Sequence, residues 1–167
     1  MVGIQALIVT MMLLTGGAPD RRPLEVRYWA VEASVEGLEA PYFDVGAKPI
    51  RTLLEDLRFD RFITRCEAAA SLQADKDEKA VLTNRYTMGL RYTGQDASGR
   101  ARVVVTVMLA QEKPESPPQK AVETALLLAP GGTARVCGLR SENKAEIIIV
   151  LARSQTAARD PESGNTR

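Results

Sequence analysis

The chain contains no histidine. That absence removes the usual nucleophile–histidine dyads and every His-assisted metal mechanism. Cysteine is almost as scarce: Cys66 and Cys137 are the only two. Without histidine they cannot build the usual zinc site, so neither a metal nor any other cofactor is expected. Aromatics are few, with one tryptophan, four tyrosines and three phenylalanines, which points to an aliphatic core rather than a stacking platform. Neither sign of charge dominates, since 22 Lys and Arg are interleaved with 21 Asp and Glu. No basic stripe is present to release phosphate counterions, and nucleic acid is not an expected partner. The phosphate-cradling and nucleophile-elbow motifs G-x-x-x-x-G-K-[ST], G-x-G-x-x-G and G-x-S-x-G are absent as well.

What the chain does have begins at its N-terminus. Ile4 to Leu14 is an apolar run whose only polar members are Gln5 and Thr10, followed by small residues and then charge. It is too short for a relaxed bilayer span and fits the centre of a secretory signal, although no Lys or Arg precedes it. Residues 1–18 are therefore read as a signal peptide, with a buried N-terminal strand or an uncleaved anchor helix as the alternative. Cleavage after Gly17 would use Thr15 and Gly17 as the small flanking residues and keep Pro19 away from the cut. No cysteine lies near this boundary, so a lipid-modified anchor is not indicated. The expected address is periplasmic or secreted, with no membrane span once the signal is removed. Export would make a disulfide between Cys66 and Cys137 chemically accessible; two separate buried thiols are the equal alternative.

Residues 24–155 carry the periodicity of a single β-rich domain. From Leu24 to Val35 the residues Trp29, Val31, Ala33 and Val35 alternate with Tyr28, Ala30, Glu32 and Ser34, which is strand spacing. A loop containing Gly37, Pro41 and Gly46 follows. Lys48 to Asp60 then places Ile50, Leu53, Leu54 and Leu57 at i, i+3, i+4 and i+7 behind Pro49, a pattern that predicts an amphipathic helix of about three turns with Arg51, Glu55 and Arg58 outside. Tyr86, Met88, Leu90 and Tyr92, the turn Gln95–Arg100, and Val103, Val105, Val107 and Leu109 predict a hairpin. After the proline-bearing connection 112–119 come three more apolar segments, separated by Pro130-Gly131-Gly132 and by Arg140–Asn143. Gly131 and Gly132 are the structural turn residues expected between paired antiparallel runs. Residues 156–167 lack any apolar period and read as a disordered tail. The fold class expected is α+β, mainly antiparallel β: a single sheet or a sandwich with one amphipathic helix packed on it.

Candidate chemistry is thin. Carboxylates occur close together at Glu55-Asp56 and at Asp75, Asp77 and Glu78, but neighbours in sequence do not face one cleft, and the Asp75 cluster reads as a solvated loop. Trp29, Tyr28 and Tyr42 form the only N-terminal aromatic group, and Trp29, Tyr42 and Phe43 are the candidate partner contacts, with core packing as their alternative.

Residues 120–153 carry a further pattern: Glu123 to Thr133 through the glycine turn, then Val136-Cys137-Gly138-Leu139 and Ile147 to Val150. The strand, glycine turn, strand, Gly-Leu and apolar strand order resembles the C-terminal pattern of bacterial secretins, the outer-membrane channels of secretion and pilus systems. An ordinary β-meander is the alternative reading. Cys137 stands where the secretin pattern usually has glycine, and the chain is far too short for ring-building domains and a channel. What the resemblance implies is thus an envelope setting, not a full secretin. Taken together the residues predict a non-enzymatic, exported cell-envelope accessory or assembly protein acting through protein contacts. A small-ligand or lipid carrier, with a cavity between helix and sheet lined by Trp29, Leu53 and Leu57, is the alternative; a His-free hydrolase using carboxylates ranks below both.

Overall fold

The computed structural model describes residues 22–111 and 116–155. Residues 1–18, read above as a signal peptide, and residues 156–167, read as a disordered tail, lie outside the described residues. Within them the chain forms β1 (Leu24–Ser34), β2 (Tyr42–Phe43), β3 (Arg61–Leu72), β4 (Asp77–Val81), β5 (Tyr86–Gln95), β6 (Ala101–Leu109), β7 (Gln119–Leu128), β8 (Thr133–Arg140) and β9 (Glu146–Arg153). These assemble into a five-stranded sheet, order β2-β3-β1-β9-β8, and a four-stranded sheet, order β4-β5-β6-β7. All pairings between neighbouring strands are antiparallel except β2 with β3. Among the described residues no helix is long and apolar enough to cross a membrane.

The alternation along β1 explains the layering, because both of its faces are apolar and both are covered. Tyr28 and Ala30 point into a core shared with Met88, Leu90 and Tyr92 of β5, Val103, Val105 and Val107 of β6, and Ile147, Ile149 and Leu151 of β9. Trp29, Val31 and Ala33 enter a second core on the opposite face, with Ile148 and Val150 of β9 and a plug of Phe43, Ile50, Leu54 and Phe59. A strand buried on both sides reads as an unbroken apolar run rather than an alternating one, which is why β9 can be Ile147-Ile148-Ile149-Val150-Leu151. Val35, which the alternation also places on the buried face, lies just beyond β1 and is exposed.

The plug is where the expected helix fails. Lys48–Leu53 is a short 3-10 segment that kinks at Ile50 (φ −111°, ψ 15°), and residues 54–56 continue as turns. Tertiary anchoring overrides the helical spacing. Asp44 accepts the backbone N–H of Ala47 and of Thr64 and the Thr64 hydroxyl, at 2.8–2.9 Å. A Cβ at Gly46 would fall 2.7 Å from the Thr64 hydroxyl oxygen, so the loop lies directly against β3. Farther on, Arg135 of β8 donates to the Leu53 carbonyl and the Asp56 carboxylate, both at 2.5 Å. Held at both ends, the segment inserts Ile50 and Leu54 into the sheet by compact turns. The apolar face is the expected one; the element is not.

β3 and β4 are strands that periodicity leaves unmarked, since Ala68, Ala69 and Ala70 dilute the alternation of β3 and β4 carries Asp77, Glu78 and Lys79. The β5–β6 hairpin forms as expected, with Leu90 opposite Val105 and the turn closed by Asp96 accepting from the backbone of Ser98 and Arg100.

One expectation about pairing is corrected. The runs flanking Pro130-Gly131-Gly132 do not pair with each other: β7 pairs with β6 in one sheet and β8 with β9 in the other, so the turn is a corner between layers. Gly131 adopts φ +69° and the Gly132 N–H donates to the Ala129 carbonyl at 2.8 Å. Cys66 and Cys137 are both free. They sit on β3 and β8, with β1 and β9 between them, roughly 14 Å apart at the usual strand spacing. That is beyond the span of a disulfide.

Candidate functional site

The sequence candidates scatter. Trp29 is buried in the second core with the Arg27 guanidinium 5.1 Å from its ring centroid, and its indole Nε1–H has no acceptor among the described residues. Phe43 is buried as well, stacked on Phe62 at 4.7 Å between centroids. Only Tyr42 is exposed. The three candidate contacts therefore share no surface, because Trp29 and Phe43 serve packing. The carboxylates scatter too. Glu55 pairs with Arg51, Asp56 with Arg135, and Asp77 makes a bidentate pair with Arg91 at 2.7 and 2.8 Å. The hydrogen bond from Arg135 holds the Asp56 carboxyl below its usual range, and Arg91 does the same for Asp77.

Two other regions stand out, and neither is marked by a motif. The first is the free side of the four-stranded sheet. A sheet edge presents unpaired N–H and C=O groups, and folded proteins blunt such edges by shortness, charge or bulges. β2 has 2 residues. β4 has 5 and carries three adjacent charges. β8 is broken by a register shift between Val136 and Leu139, with Gly138 at φ +91°. β7 differs: it has 10 residues, and Val122–Leu128 runs in unbroken register with β6. Glu123 is the only charge in that stretch, and Leu127 is 52% exposed. The outer face beside it also lacks a cover among the described residues. A groove of about 740 Å³ crosses it, lined by Val81, Gly89, Val104, Met108, Pro118 and Glu123 among others.

The second region is a cleft of about 710 Å³ where the two sheets diverge. Its inner limit is set by the Tyr86 hydroxyl, which donates to the Arg140 carbonyl at 2.7 Å and joins the layers. The β1–β3 ladder shifts register between Ala30 and Val31, leaving Arg65 as an extra residue without an opposite on β1. Arg65 donates to Glu32 at 2.7 Å, and the Ser141 hydroxyl donates to the other Glu32 oxygen at 2.9 Å. The Arg65 bond is the main reason the Glu32 carboxyl titrates below its usual range. Ser34 donates to Glu36 at 2.9 Å, with Arg61 3.7 Å from the same oxygen. Arg85 faces this wall from the β4–β5 connection. The residue is half-buried, and its guanidinium has no hydrogen-bond or ion-pair partner among the described residues. Sequence reasoning missed this cluster because its members are single polar residues drawn from β1, β3 and the β4–β5 and β8–β9 connections; a register bulge cannot be read from spacing.

Neither cleft is lined by Trp29, Leu53 or Leu57. The cavity on which the carrier reading depends would lie between sheet and helix, and that helix does not form. No family model matches the chain, and no curated protein or solved structure is significantly similar to it.

Proposed function

We propose that the protein is a non-enzymatic, exported cell-envelope accessory component that acts through protein contacts, receiving an extended segment of its partner along β7. The observation that carries this reading is the contrast among the four sheet edges of the described residues: β2 and β4 are short and β8 is bulged mid-strand beside a positive-φ glycine, whereas the one bulge of β7, at Ala121, lies near its start and leaves Val122–Leu128 in unbroken register. An added strand would satisfy the free backbone groups of β7, and the alternate side chains of that strand would meet Leu127 and the neighbouring outer groove. The address rests on the apolar run Ile4–Leu14. The stretch from Lys120 to Arg153 that resembles secretins contains β7 from its second residue onward, which makes a component of a secretion channel the first class of partner to test.

The test is site-specific photo-cross-linking in the native host, with the reactive group at Leu127 or, as a control, at Glu55. A discrete adduct with another polypeptide at 127 but not at 55, lost when Thr124→Pro or Ala125→Lys is added, is the expected result. No adduct at either site, or equal adducts at both, overturns the reading. In the same extracts the mature N-terminus is expected between Ala18 and Arg21, and recovery of intact Met1 removes the cleaved-signal part of the proposal.

A further inference from the structure

We infer that the cleft between the diverging sheet ends is a binding site for a small carboxylate group carried on a short apolar body. The inference does not depend on the β7 reading, since none of the cleft residues belongs to β7.

The argument is one of hydrogen-bond supply. Three guanidinium groups line the cleft, Arg61 and Arg65 from β3 and Arg85 from the β4–β5 connection. Two of the carboxylates beside them are already engaged: Glu32 by Arg65 and Ser141, and Glu36 by Ser34. Arg61 comes no nearer to Glu36 than 3.7 Å, outside hydrogen-bonding range. Arg65 commits one terminal nitrogen to Glu32. Arg85 commits none, although its side chain is half-buried. Arg85 thus presents an uncommitted guanidinium to the cleft, and a planar guanidinium fork is matched in shape and charge by an oxyanion with two oxygens.

Charge then selects among oxyanions. Glu142 also lines the cleft, so its three cations are balanced by three carboxylates. A monoanion placed against Arg85 gains a charge-assisted pair and adds a single unbalanced negative charge. A dianion such as phosphate would bring a second negative charge toward Glu32, Glu36 and Glu142, with no cation left to meet it. Ile63, Leu82 and Ala145 provide the apolar part of the lining, and the volume falls within the range of small-molecule sites. A free organic acid and the C-terminal carboxylate of a peptide present this same chemistry.

The experiment uses the purified protein in calorimetric and NMR titrations with hexanoate, with the tripeptide Gly-Ala-Leu bearing a free or an amidated C-terminus, and with inorganic phosphate. Saturable binding of hexanoate or of the free-acid tripeptide is expected, and which of the two binds more tightly identifies the source. The amidated peptide should not bind. Amide shifts should centre on Ile63, Arg85 and Ala145. Arg85→Gln should weaken binding about tenfold or more, whereas Arg102→Gln, on the exposed side of β6, should leave it unchanged. The inference is overturned if neither carboxylate binds, if phosphate binds as tightly as both, if the amidated peptide binds equally, or if the shifts map outside the cleft.

Discussion

At the scale of single residues, the side chains that matter most for stability are those in the plug beneath the five-stranded sheet. Leu54 is fully buried among Phe43, Ile50 and Phe62, while Arg51, a few positions earlier, is exposed and pairs with Glu55 across a solvated turn. Leu54→Ala is expected to cost about 2–5 kcal/mol in a urea titration, and Arg51→Ala less than about 1 kcal/mol. Equal losses would mean that the turn is not seated as described. Asp44 sets the acid limit of the same region. Burial pushes its carboxyl up, but the hydrogen bonds from Thr64 and Ala47 together outweigh that and hold it below its ordinary value of 3.8. A carboxyl depressed in the folded state contributes stability that is fully present above its unfolded value and is lost as pH falls through the folded one. Thermal midpoints should therefore hold from neutrality to about pH 5 and fall below about pH 4. Asp44→Asn should flatten that fall, since it removes the titrating group while lowering stability at neutral pH.

The strands themselves were largely legible, and their neighbours were not. Tyr86 to Tyr92 and Val103 to Leu109 alternate cleanly because one side of each faces the shared core and the other faces water. Alternation reports which face is buried, but it carries no information about which strand lies alongside. That is why the runs around Pro130-Gly131-Gly132 read as a hairpin, although they belong to separate sheets. The spacing of Ile50, Leu53, Leu54 and Leu57 likewise fixes a buried side without fixing a helix, because a chain of tight turns can present the same residues. The cleft was illegible for a related reason: Glu32, Arg61, Arg65 and Arg85 converge only after β1, β3 and the β4–β5 connection are in place. The corner between layers gives the prediction at this scale. Gly131 needs a positive φ that a β-branched side chain resists, and Asn tolerates it better. Gly131→Val should lower the denaturation midpoint by the equivalent of about 1–3 kcal/mol, with Gly131→Asn closer to the parent. Indistinguishable midpoints for the two variants would contradict the geometry of the corner.

For the molecule as a whole, the order of strands in space divides the chain unevenly. The four-stranded sheet is one continuous stretch, β4 through β7, in which each strand pairs with the next in sequence. The five-stranded sheet draws on both ends: β1, β2 and β3 come from before that stretch, β8 and β9 from after it. β9 lies between β1 and β8, and at its end buried Arg153 donates to the carbonyls of Gly99, in the β5–β6 turn, and of Leu128, the last residue of β7. A chain emerging from its N-terminus can therefore assemble the middle meander from local contacts. The five-stranded sheet has to wait for β9, since β1 keeps an unfilled side until that strand arrives. The eight residues of β9 thus act as a closing staple, and until they are delivered the five-stranded sheet remains two separate pieces.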